Sequence, residues 1–148
     1  MKEIHVGLIG WGTVGSGVVK ILQENGPVIE RRLGSKLIVK RIADLDLETE
    51  RAVKVSREML TKRADEVIED PEIDIVLELI GGMEPARSYI LEAFRRGKHV
   101  VTANKALLAT HLDELCRVAE QCNVDLNFEA AVAGGISHHS RAERGIRW

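Results

Sequence analysis

Short apolar runs take turns along the chain with stretches in which apolar residues recur at three- and four-residue steps. The first run, Ile4 to Ile9, is mostly β-branched or Leu and ends in glycine, which predicts a buried strand. From Val14 to Glu24 the residues Val14, Val18, Ile21 and Leu22 share one helical face, and Asn25-Gly26-Pro27 reads as the stop. Leu37 to Ala43 predicts a second strand, followed by an acidic loop from Asp44 to Glu50. Leu60 to Ile68 predicts a short helix that Asp70-Pro71 breaks before a strand from Ile75 to Ile80. The same alternation gives a helix over Pro85 to Arg96, a strand over His99 to Thr102, a helix over Lys105 to Gln121 and a strand over Val124 to Glu129. Alternation of this kind, with strands apolar on both faces, implies an α/β fold: a doubly wound, mainly parallel sheet covered by helices on each side.

With 148 residues, one folding unit is expected. Lys and Arg (21) nearly balance Asp and Glu (23), so the chain as a whole has no attraction for phosphate polymers or anionic membranes, and a nucleic-acid or membrane partner is not expected. No apolar run is long enough to span a bilayer. Glu3 and the glycines between positions 7 and 17 argue against a secretory signal at the apolar start. Cys116 and Cys122 fall on different faces of one helix, which suits neither a disulfide framework nor a metal site and points to a reducing cytoplasm.

Gly10-Trp11-Gly12-Thr13-Val14-Gly15 is a G-x-G-x-x-G lying directly after a strand and directly before a helix, the context of a Rossmann-like dinucleotide site. Gly10 permits the sharp turn, Gly12 removes the side chain that would block a pyrophosphate, and Gly15 lets helix and strand pack closely. The phosphates then meet the free N–H groups that open the helix. At the end of the second strand Asp44 is placed to bind the ribose hydroxyls of NAD, while Lys40 and Arg41 would favour the extra phosphate of NADP, so both cofactors stay open. Gly81-Gly82 follows the strand Ile75 to Ile80 at the ligand-binding edge. Thr102-Ala103-Asn104-Lys105 leaves the next strand at that edge, offering a hydroxyl, an amide and an ammonium to the nicotinamide. An oxidised nicotinamide beside Lys105 would favour its neutral amine, a proton acceptor. Phe128 to Ile136 supplies Glu129 and several small residues whose carbonyls could share a cation.

The segments GLIGWGTVGSGVV, IVLELIGG, GKHVVTANKALLA and FEAAVAGGI, in this order and spacing, resemble the N-terminal nucleotide-binding region of homoserine dehydrogenases over residues 4 to 136. That family interconverts L-homoserine and L-aspartate 4-semialdehyde with NAD or NADP, on the way to threonine, methionine and isoleucine. The resemblance implies cofactor contacts at Trp11, Thr13 and Val14, and Lys105 as one of two active-site lysines. It also implies a sodium site at Glu129 with the carbonyls of Val132, Gly134 and Ile136. Without the family's second domain, apolar surface near Val132 to Ile136 would be uncovered, so self-association as a homo-oligomer is expected.

From Ser137 the chain departs from the family, which continues from Gly-Gly-Ile into Pro-Ile-Ile and a substrate-binding, dimer-forming domain. One choice of codons for the tail SHHSRAERGIRW, with a single nucleotide removed, reads Pro-Ile-Ile-Arg-Ala-Leu-Ser-Glu-Gly-Phe-Ala-Gly, so an inserted nucleotide is expected to separate the tail from the ancestral frame. The expectation is therefore a dinucleotide-binding domain over residues 1–136 and a non-family tail over 137–148. Homoserine or aspartate semialdehyde would bind only with the further domain, so the chain alone should bind cofactor with little or no turnover. The alternative is a stand-alone nucleotide-binding or regulatory module without catalysis.

Overall fold

The structure is a computed structural model and describes residues 2–128. Six strands are joined largely by helices: β1 (Lys2–Ile9), α1 (Thr13–Glu24), α2 (Gly26–Leu33), β2 (Ser35–Ala43), β3 (Leu60–Thr61), α3 (Asp65–Ile68), β4 (Ile75–Glu78), α4 (Ala86–Arg95), β5 (His99–Thr102), α5 (Lys105–Gln121) and β6 (Leu126–Phe128). All pairings are parallel and the sheet order is β3-β2-β1-β4-β5-β6. This is the Rossmann order, whose direction reverses at β1, so a crevice opens beyond the carboxyl ends of β1 and β4.

Alternation along β1 feeds two cores. Val6 and Leu8 join Trp11, Val19, Ile42 and Ile75 on one face, while Ile9 joins the larger cluster beneath α4 and α5, which includes Ile90, Phe94, Leu107 and Leu115. Gly7 faces α3 and the turn after it: a Cβ there would lie 2.6 Å from Val67 and 2.9 Å from Ile73. The missing side chain lets the α3–β4 connection close on the sheet.

Strand ends shift by a residue or two at β1, β2 and β6, and three differences from the sequence reading matter for the fold. Gly26-Pro27 does not end helical structure but opens a second helix, α2: Asn25 serves both as the C-cap of α1 and the N-cap of α2, and proline is tolerated in a first turn because its missing N–H has no helical partner there. Leu60-Thr61 extends the sheet beside Ile42-Ala43, so the helix expected over Leu60 to Ile68 shrinks to α3. β4 stops at Glu78, two residues early, as the chain turns toward Gly81 and Gly82, both at positive φ.

Candidate dinucleotide site

The glycine turn divides its labour as its spacing implies. Gly10 sits at φ +124°, a backbone conformation costly for other residues, and a Cβ on it would press within 2.9 Å of the Leu79 backbone. A Cβ on Gly15 would fall 2.3 Å from the Gly10 carbonyl oxygen, so only glycine lets α1 approach the end of β1 this closely. Around Gly12, by contrast, a Cβ would meet nothing within 4 Å. That open space lies against the start of α1, where Ser16 N–H donates to the Gly12 carbonyl at 2.9 Å as the first helical bond. The N–H groups of Thr13, Val14 and Gly15 precede that bond and have no partner within the helix. The turn therefore couples an unobstructed face to the positive end of a helix, the arrangement that receives phosphate.

Two clefts flank the turn. One, of about 280 Å³, is walled by Ile9, Ala43, Leu45, Ala64, Ile80, Gly81, Pro85 and Tyr89 and carries Asp44 and Lys62 as its charged members. Its apolar walls, with one acidic and one basic residue among them, suit a nucleoside with a ribose or phosphate group. The second, of about 520 Å³, lies between Gly12, Thr13, Ser16 and Gly17 and the loop from Asp46 to Ala52.

Asp44 stands at the predicted edge, but its carboxylate accepts the Trp11 N–H at 2.6 Å and the Asp46 N–H at 2.8 Å, so it braces the turn. Arg41 is not brought into the cleft. It lies level with Gly7, two residues short of the end of β2, and pairs with Glu66 at 3.4 Å. Lys40 is the extra residue of a bulge in β2 and reaches Asp70 and Glu72 instead. The cation in the cleft is Lys62, which the sequence reading missed because it follows a two-residue strand taken for a helix. The Trp11 indole packs into the core, leaving that residue's backbone to the turn. Thr13 and Val14 are exposed at the opening of α1.

At the neighbouring strand ends Glu78 is fully buried. Its carboxyl accepts the Thr102 hydroxyl at 2.5 Å and the N–H groups of Ile80 and Gly81 at 3.1 and 3.0 Å. Thr102 in turn accepts the Asn104 N–H, and the Asn104 side chain donates to the Gly82 carbonyl at 2.6 Å and caps α5 through the Leu107 N–H. The side chains of Thr102 and Asn104 are turned inward, where they fasten the Gly81-Gly82 loop to α5. Lys105, the first residue of α5, is exposed at this edge. Glu129, Val132, Gly134, Ile136 and the tail from 137 lie outside the described residues. Among the described residues there is no group of three or more His, Cys, Asp or Glu that could hold a metal ion. Nor is any helix there long and apolar enough to cross a membrane.

Residues 10–129 match the family model described as "Homoserine dehydrogenase, NAD binding domain". The chain is 45% identical over 146 residues to homoserine dehydrogenase of Bacillus subtilis, covering 99% of this chain and 34% of that protein. It superposes on the crystal structure of a homoserine dehydrogenase from Thiobacillus denitrificans with TM-score 0.83 and 47% identity, covering 88% of this chain and 30% of that one. A hyperthermophilic archaeal homoserine dehydrogenase mutant, solved in complex with NADPH, shares the fold at TM-score 0.68 and 24% identity, over 87% of this chain and 44% of that one. The chain spans about a third of the length of the curated relatives it matches. It belongs to the homoserine dehydrogenase family and corresponds to that family's NAD-binding domain.

Proposed function

We propose that this chain binds NAD or NADP through the Gly10–Gly15 turn and serves as the cofactor half of an oxidoreductase interconverting L-homoserine and L-aspartate 4-semialdehyde, in the route to threonine, methionine and isoleucine. The observation that carries the reading is the contrast among the glycines. Gly10 and Gly15 are filled by their own backbone neighbours, whereas Gly12 alone of the three opens onto free space at the start of α1. Nothing in the packing requires glycine at 12; a pyrophosphate would.

A bound nicotinamide dinucleotide supplies the hydride donor or acceptor. This chain's own residues bind the cofactor and carry one proton. The N–H groups of Thr13 and Val14 meet the phosphates, and the cleft holding Asp44 and Lys62 takes the adenosine end. The Gly81-Gly82 loop, held by Glu78 and Asn104, borders the crevice, and Lys105 takes or returns the proton of the substrate oxygen at Nζ. Lys62 gives the site a cation for the 2′-phosphate of NADP. Substrate-orienting donors and a homo-oligomeric assembly belong to the reading of the whole enzyme. Cys116 and Cys122 form no disulfide, which supports a reducing, cytoplasmic setting.

Fluorescence titration of the purified chain with NADH and NADPH tests the proposal. Saturable binding of at least one is expected, and Lys62→Ala should weaken NADPH about tenfold while leaving NADH nearly unchanged. Absence of saturable binding to either cofactor by a folded chain would overturn it.

A further inference from the structure

Trp11 is immobilised from every side. Its indole is buried in the core, its N–H is held by Asp44, and its carbonyl accepts the Arg51 Nε–H. Arg51 lies forty residues downstream, in the loop between β2 and β3, with a side chain only 10% exposed. Its remaining nitrogens donate to the carbonyls of Thr49 and, at 2.8 Å, Asp46. The loop that carries it is itself stiffened: the Asp46 carboxylate takes the Thr49 hydroxyl at 2.6 Å and the N–H groups of Glu48 and Thr49 at 3.0 Å each.

The consequence follows from peptide planarity. The Trp11 carbonyl and the Gly12 N–H share one rigid trans unit and point in opposite directions, so whatever anchors that carbonyl also aims that N–H. Ser16 holds the Gly12 carbonyl on the far side, but a Cβ on Gly12 would meet nothing within 4 Å, so no side-chain packing at Gly12 fixes the Trp11–Gly12 unit against rotation. The guanidinium grips it instead, and its fork reaches three main-chain carbonyls at once, which an ammonium could not span in fixed geometry.

We infer that Arg51 is a positioning residue of the dinucleotide turn: it orients the Trp11–Gly12 peptide before any ligand arrives. This rests on the proposed cofactor binding but differs from the role an arginine after the second strand of such a sheet invites, that of reading the extra phosphate of NADP. A phosphate reader would present its donors to the ligand; here each nitrogen is committed to the backbone. Loss of Arg51 should therefore weaken NADH and NADPH by the same factor.

The test compares the wild-type chain with Arg51→Ala and Arg51→Lys in two measurements made well below their melting temperatures. In ligand-free amide NMR spectra, Arg51→Ala should shift or broaden the Gly12 resonance, with partial recovery in Arg51→Lys. In cofactor titrations, Arg51→Ala should lose about tenfold in affinity for NADH and NADPH alike. Selective loss of NADPH would make Arg51 a phosphate reader and overturn the inference. So would a Gly12 resonance and affinities indistinguishable from wild type. If Arg51→Ala does not fold, Arg51→Lys carries both readouts, with the same equal loss expected and NADPH-selective loss again contradicting it. Should the wild-type chain bind neither cofactor, the failure belongs to the proposed function, and the ligand-free Gly12 resonance alone decides the role of Arg51.

Discussion

Gly10, Gly12 and Gly15 are spaced as one motif, yet substitution separates them. Gly15→Ala drives a methyl group into the Gly10 carbonyl, a backbone atom that cannot rotate away, and should destabilise the fold by about 3 kcal/mol. Gly12→Ala meets no atom, and its φ of −93° suits any residue, so thermal stability should hold to within about 0.5 kcal/mol while cofactor affinity falls at least tenfold. Paired melting and titration curves check this, and equal stability losses in the two variants would refute the division. The turn at Gly10 and the close approach at Gly15 were legible in the sequence because they follow from a local turn between strand and helix. The bracing by Asp44 and Arg51 was not, since it joins residues 33 and 40 positions from Trp11. The place of Asp44 at the end of the second strand is legible in the sequence, but its bonds to the Trp11 and Asp46 N–H groups are not.

The loop after β4 and the start of α5 form one fastened unit, although they lie on separate elements. Thr102→Val should leave a Glu78 oxygen without its donor and the Asn104 N–H without its acceptor, both buried, costing about 1–3 kcal/mol in chemical denaturation. Thr102→Ser should restore most of it, and a neutral valine variant would contradict the fastening. Strands and amphipathic helices were readable from period alone, as in α5, whose Leu107, Leu108, Leu112, Leu115 and Ala119 line its buried face. α2 was not readable: it buries none of its residues, so no apolar stripe marks it, and its opening Gly-Pro mimics a stop. β3 is too short to carry a period, and its two residues belong to the sheet through pairing with β2.

The whole molecule puts binding at one edge of the sheet and a charged brace toward the other. There the bulged Lys40 reaches Asp70 at 2.7 Å and Glu72 at 2.6 Å, and buried Lys98 donates to the carbonyls of Asp70 and Ile73. Burial pushes the Asp70 carboxyl up, but hydrogen bonds from Lys40 and the Glu72 N–H outweigh it and hold the group below its ordinary 3.8. Hydrogen bonds to Asp70 and Glu72 raise Lys40 above 10.5. A carboxyl depressed on folding contributes stability that is present above 3.8 and lost as pH falls through its lower folded value, whereas Lys40 loses its contribution only as pH rises above 10.5. Lys40→Met should therefore be less stable than wild type at pH 7, with the gap narrowing as pH drops below 3.8. A gap independent of pH in denaturation curves from pH 3 to 7 would contradict the brace. The topology and the place of the crevice were legible from strand–helix alternation, but this brace arises from a bulge that no sequence pattern announced.

The central claim, that the amides opening α1 receive a dinucleotide pyrophosphate, is tested most directly by amide NMR of the chain titrated with NADPH and NADH. The largest saturable shifts are expected at Gly12, Thr13 and Val14, with smaller ones at Asp44, Lys62 and Gly81. Saturable binding whose shifts cluster elsewhere and leave those three amides unmoved would contradict it.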